Sequence, residues 1–159
     1  MKEPITPKVN FADCYVLTNK RTKDFIYAFL NAFLPERTEN ASTYTVPQLS
    51  ENPIVTFDTA EPLITYLEKN KRELHAIYWS NIKEEKLRGA MCIFTSDGQL
   101  ITGLYCETRH PDTAIEKSFL QQLMQFCNSN TGLIEYATPA AEDTAEFLER
   151  VYANEQNRK

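Results

Sequence analysis

Residues 87–108, LRGAMCIFTSDGQLITGLYCET, hold two β-rich runs on either side of Asp97-Gly98. Asp-Gly is a favoured two-residue hairpin turn, because its twist matches that of the strands it joins. With this pair as the loop, Ser96 opposes Gln99. One face of the hairpin then carries Ala90, Cys92, Phe94, Ile101, Gly103 and Tyr105. The other carries Met91, Ile93, Leu100, Thr102 and Leu104. Both faces are apolar, so the spacing predicts central strands covered on both sides. Cys92 and Cys106 point to opposite faces in this register. A one-residue slip would put them on the same face. In either register they stay about 10 Å or more apart, beyond disulfide reach.

The rest of the chain fits around this hairpin. FADCYVLT (11–18) reads as a strand. TKDFIYAFLNAFLPE reads as a helix, with Phe25, Ile26, Phe29, Leu30, Phe33 and Leu34 at helical spacing, Thr22 as its cap and Pro35 as its stop. Residues 36–53 are polar, carry Pro47 and Pro53, and predict a long irregular connection with a short extended piece at TYTVPQL. PIVTF (53–57) and ELHAIYWSNI (73–82) read as strands, with the helix TAEPLITYLEKN between them. TAIEKSFLQQLMQFC (113–127) is the strongest helix, LIEYA (133–137) a last strand and DTAEFLERVYANE (143–155) a last helix. The tripeptide DTA recurs at Asp58, Asp112 and Asp143, each time opening a helix. Asp58 with Glu61, Thr113 with Glu116 and Asp143 with Glu146 have capping-box spacing. This order predicts an α+β fold: a single mixed, largely antiparallel sheet with a central meander, and four helices packed on both its faces. One domain over 1–159 is expected, with 1–10 and 156–159 frayed.

Composition limits the function classes. The net charge of -5 opposes binding to a phosphate backbone. The local basic groups, Lys20, Arg21 and Lys23, then Lys69, Lys71 and Arg72, read as solvated charges near helix ends, so no nucleic-acid partner is expected. With only 4 glycines, a glycine-cradled nucleotide site is disfavoured. Cys14, Cys92, Cys106 and Cys127 have no CxxC spacing and read as small core side chains of a reduced, cytoplasmic protein. The start, MKEPITPKVNF, has no apolar segment of the signal-peptide kind. No run approaches the roughly 20 apolar residues of a membrane span, so no membrane association is expected.

CETRHPD (106–112) gathers the densest chemistry in the chain. A nucleophilic Cys106 would need His110 within reach, but Pro111 biases His110 to an extended conformation and Cys106 is expected to point into the sheet. Cys106, His110 and Asp112 match the spacing of no common metal site. The pairs Glu84–Glu85 and Glu142–Asp143 show no sign of converging across a cleft. No catalytic residue, metal or cofactor is therefore assigned, and the chain is not expected to be an enzyme. CETRHPD instead reads as a joint between strand and helix. It leaves Glu107, Arg109 and His110 at a sheet edge, suited to a contact surface. Tyr78 and Trp79 are adjacent on a strand, so one belongs to the core and the other can serve as an exposed anchor for a protein partner. Glu142, Asp143, Glu146 and Glu149 offer an acidic helix face that would pair with a basic partner.

Trp79, the run Phe94-Thr95-Ser96-Asp97-Gly98-Gln99-Leu100-Ile101-Thr102-Gly103-Leu104, the run Gly132-Leu133-Ile134-Glu135-Tyr136, and Pro139 form a pattern over about residues 53–150. It resembles small bacterial immunity-type proteins found beside toxins in contact-dependent and polymorphic toxin systems. The resemblance implies an α+β protein that neutralises a toxin domain by stoichiometric binding, without catalysis. It carries over no functional residue. Two other readings stay open: a structural or regulatory adaptor able to self-associate, and a small-molecule binder or enzyme. The oligomeric state is not readable from these residues.

Overall fold

The hairpin of residues 87–108, at the centre of the sheet, is offset by one residue from the register its turn dipeptide predicts. In the structure, a computed structural model that describes residues 10–156, Phe94 pairs with Leu100 and Cys92 with Thr102. The loop is Ser96-Asp97-Gly98, closed by Thr95 N–H donating to Gln99 O at 3.1 Å. Gly98 alone takes positive φ, +91°. This is a three-residue loop with glycine at the left-handed position, where a two-residue turn would need positive φ twice. The Asp97 carboxylate accepts the Thr144 N–H at 3.3 Å and so ties the loop to the start of the last helix. The one-residue difference turns every side chain of the second strand over. Leu100, Thr102, Leu104 and Cys106 join Ala90, Cys92 and Phe94 on one face. Ile101, Gly103 and Tyr105 join Met91 and Ile93 on the other.

The elements are β1 (Asn10–Thr18), α1 (Lys23–Phe33), β2 (Arg37–Glu39), β3 (Tyr44–Val46), β4 (Val55–Phe57), α2 (Ala60–Lys69), β5 (His75–Asn81), β6 (Leu87–Phe94), β7 (Leu100–Thr108), α3 (Ala114–Cys127), β8 (Gly132–Glu135) and α4 (Thr144–Gln156). The expected fraying of the termini lies mostly outside the described residues; Asn10 already pairs with Thr108, and Gln156 ends α4. The main sheet has six strands in the order β2-β5-β6-β7-β1-β8, with every pairing antiparallel. The predicted strand at 53–57 is not part of it. Its residues 55–57 pair with β3 in a separate two-stranded ribbon. The connection at 36–53 holds two short strands, β2 on the sheet edge and β3 in that ribbon.

The helices divide unequally between the faces. Phe29, Leu30, Leu63, Leu67, Leu120 and Leu123 of α1, α2 and α3 bury Cys14, Val16, Ile77, Trp79, Phe94 and Leu104 on one side. On the other side, among the described residues, only α4 and the segment before it cover the sheet, with Ala141 and Phe147 over Tyr15, Met91, Ile93, Ile101 and Leu133. The cover stops there. This asymmetry leaves half of one sheet face open.

Two local expectations change. Arg21, read as a solvated charge, is buried to 3% exposure. Its five N–H groups donate to five main-chain carbonyls, those of Leu67, Thr95, Gln99, Asn70 and Glu73, at 2.7–3.2 Å. The guanidinium also lies over the Phe94 ring. It pins the end of α2 and the β6–β7 loop to the start of α1, and burial lowers its pKa to about 10. None of the three capping boxes closes in full, and the one at α4 comes nearest. Glu146 N–H donates to Asp143 Oδ1 at 2.8 Å, and Glu142 N–H to Glu146 Oε1 at 3.4 Å. Glu61 bonds Lys23 instead. Glu116 is fully buried and accepts the Thr108 and Tyr136 hydroxyls.

Candidate functional site

Strand alternation and register place the open face in rows that cross the sheet. One row runs Tyr78–Met91–Gly103–Tyr15–Leu133, the next Ser80–Gly89–Tyr105–Asp13–Glu135. Met91, Tyr15 and Leu133 meet the α4 cluster. Ser80, Gly89, Tyr105 and Asp13 of the second row form the floor of a cleft of about 570 Å³, while Glu135 at the row's end is buried against Arg150 of α4. Phe11, Asp13, Tyr15, Tyr78 and Tyr105 line it from three strands, with Arg88 at the rim. Phe11, Tyr78 and Tyr105 are 39%, 45% and 36% exposed, large for aromatic side chains standing on a sheet.

Two of the four glycines shape this face. A Cβ at Gly89 would stand 2.6 Å from the Trp79 carbonyl oxygen, and at Gly103 it would meet Met91 Cγ at 2.5 Å. Gly89 keeps the floor low at the bulge where the β6–β7 register shifts. Gly103 lets Met91 and Tyr15 lie across the strand. Phe11 and Tyr105 stack with ring centroids 4.9 Å apart. Beyond that stack is a second depression of about 460 Å³, which Phe11, Asp13 and Tyr105 share with His110 and Tyr136.

Asp13 is the charge at the centre. Burial, and then the Glu135 carboxylate opposite it, raise its pKa to about 6, while a hydrogen bond from Tyr15 acts the other way. Glu135 is also raised by burial, but Arg150 of α4 opposes this with an ion pair at 3.2 Å. Burial likewise raises Tyr15, Tyr78 and Tyr105, so their hydroxyls stay protonated at neutral pH.

The expected site residues do not gather in one place. Tyr78 stands on the open face and Trp79 is buried on the helix side, which resolves the choice between them. Glu107 pairs with Arg88 at 3.9 Å on the cleft rim. His110 lines the second depression, its ring edge-on to Tyr136. Arg109 is exposed in a turn closed by Asp112 N–H donating to its carbonyl. Glu142, Asp143 and Glu146 lie at the start of α4, where Asp143 and Glu146 are occupied as its cap and Glu146 also holds Arg150 at 3.3 Å. Cys106 is fully buried on the helix side, on the opposite face from Glu107. All four thiols are buried and free. The Cys106 thiol neighbours that of Cys14, and this contact and burial push the Cys14 pKa upward. Among the described residues, no three His, Cys, Asp or Glu side chains gather as a metal site would require.

Phe11, Asp13, Tyr15, Tyr105 and Glu135 escaped the sequence reading. The signal was present: Asp13 and Glu135 are charged residues within otherwise apolar strands, and Gly89 and Gly103 are glycines within strands.

No protein-family profile, curated protein or solved structure matches the chain. No helix among the described residues is long and apolar enough to cross a membrane.

Proposed function

We propose that the chain is a non-catalytic binding protein of the immunity type, which holds a toxin-like protein partner on the open half of its sheet. The observation that carries this reading is the trio Phe11, Tyr78 and Tyr105, exposed around a half-buried carboxylate on rigid strands. Aromatic side chains offer large contact area at little entropic cost and are frequent anchors in protein interfaces. Their placement on strands, not loops, pre-organises them. The net charge of -5 favours a basic partner and speeds its approach. Self-association through this face is disfavoured, since a second copy would bring two Asp13 carboxylates, without ion-pair partners among the described residues, toward one another. A thiol enzyme is disfavoured by the burial of Cys106 in the helix-side core while His110 faces the surface. Four buried, unpaired thiols suit a reducing bacterial cytoplasm.

The test is co-expression with the product of the neighbouring reading frame. A stoichiometric complex is expected, weakened about tenfold or more when Tyr78 and Tyr105 are both changed to Ser. Failure to form a complex, or a complex indifferent to both changes, would overturn the reading.

A further inference from the structure

We infer that the cleft beside Asp13 is a pocket for a guanidinium group, the head of an arginine side chain presented by the partner. The identity of that donor rests on the binding reading above; the chemistry of the pocket does not.

Charge supplies the first argument. Asp13 lines both depressions and has no ion-pair partner among the described residues. The two arginines flanking the cleft are engaged elsewhere. Arg150 holds Glu135 at 3.2 Å, Glu146 at 3.3 Å and the Pro139 carbonyl at 2.6 Å. Arg88 is drawn to Glu107. The carboxylate is therefore desolvated and set against a neighbouring carboxylate without the compensation that a cation would bring. A bound cation supplies it.

Shape supplies the second. Tyr105, stacked on Phe11, and the exposed Tyr78 line the cleft with aromatic rings beside the carboxylate. A planar guanidinium stacks on such rings and presents a fork of N–H donors to a carboxylate. An ammonium satisfies the charge but gains less from flat walls. A metal ion finds one free carboxylate, since Arg150 holds Glu135, beside protonated phenols that ligate weakly, and an anion meets repulsion from Asp13. A cleft of about 570 Å³, open to solvent, admits a side chain carried on another protein.

The experiment titrates the isotope-labelled chain at neutral pH with butylguanidinium and, separately, butylammonium, following backbone amide shifts by NMR. Saturable shifts centred on Asp13, Tyr15, Tyr78 and Tyr105 are expected with butylguanidinium, with butylammonium about tenfold weaker. Asp13→Asn should abolish them while its spectrum stays that of a folded protein. Glu51→Gln, an exposed carboxylate that lines neither depression, should leave them in place. Absence of saturable shifts, shifts centred elsewhere, or binding retained in Asp13→Asn would each overturn the pocket. Equal binding of butylammonium would overturn its assignment to guanidinium. If butylguanidinium binds and no complex with the neighbouring gene product forms, the pocket stands and the immunity reading fails. If the complex forms and tolerates Asp13→Asn, the immunity reading stands and a partner arginine as the pocket's occupant fails.

Discussion

Asp13 and Glu135 face each other directly across the β1–β8 pairing, where Arg150 of α4 reaches Glu135 and stops short of an ion pair with Asp13. Two carboxylates directly opposite on neighbouring strands destabilise each other. Arg150 relieves Glu135 but makes no ion pair with Asp13.

This relationship sets a pH dependence. Asp13 is raised from 3.8 to about 6 in the folded chain. Folding therefore favours its protonated form. That contribution is fully present below the unfolded pKa and is lost as pH rises through about 6. Asp13→Asn should stabilise the protein at neutral pH by about 1 kcal/mol, after discounting for the solvent that reaches the group. The gain should disappear in the acid range, below the unfolded pKa. Urea unfolding at both pH values checks this, and a variant less stable than the parent at neutral pH would contradict it.

Arg21 should be among the most costly charged residues to replace. Its five donors are all used, three on carbonyls at and after the end of α2 and two on carbonyls flanking the β6–β7 loop. Lysine keeps the charge but has three donors from one nitrogen, so it cannot span these acceptors. Arg21→Lys should lower the unfolding free energy by about 3 kcal/mol. Denaturant titration measures it, and a change within experimental scatter would remove the pinning role.

The local elements were legible because their patterns are local. The stripe from Phe25 to Leu34, the Thr22 cap and the apolar runs around Asp97-Gly98 each declare themselves within a few residues. The features that failed depend on distant partners. The hairpin register turns on Asp97 bonding Thr144, far along the chain. Glu116 left its capping role because Thr108 and Tyr136 converge on it. Period-two alternation separates Tyr78 from Trp79 but does not say which face α4 leaves bare. The candidate cleft was the least legible part. Asp13 and Glu135 become neighbours only when β8 adds to β1, so each reads as an isolated oddity in its own strand.

The thiols should be inert in the folded state. Cys14, Cys92, Cys106 and Cys127 are all buried, and burial contributes to raising the pKa of Cys14, Cys92 and Cys127. The reactive species is the thiolate, which these environments suppress. A chromogenic disulfide reagent should titrate none of them in native buffer and all four in denaturant. Rapid reaction of any thiol in the native protein would show that one is accessible and reopen the case for Cys106.

Gly89→Ala should cost about 2 kcal/mol, because the added Cβ meets the Trp79 main-chain oxygen at 2.6 Å and backbone must move. Gly103→Ala should cost less. There the closest contact is the Met91 side chain, which can rotate away. Thermal unfolding of the two variants ranks them. The opposite order would mean that the floor of the cleft yields more readily than its Met91 cover.

Asp143→Ala separates an acidic contact surface from helix-start chemistry at α4. The Asp143 carboxylate already accepts the Glu146 N–H at 2.8 Å, so its removal should cost about 1 kcal/mol of stability. Partner binding, if the open sheet face carries it, should be unchanged once the fraction folded is accounted for. Tyr78→Ser should do the reverse. Tyr78 is 45% exposed, so little burial is lost, and the binding surface loses an anchor. Unfolding curves and affinity for the co-expressed partner, measured on both variants, give a double dissociation if the cleft is the interface. Loss of affinity in Asp143→Ala at unchanged stability would move the interface to the start of α4.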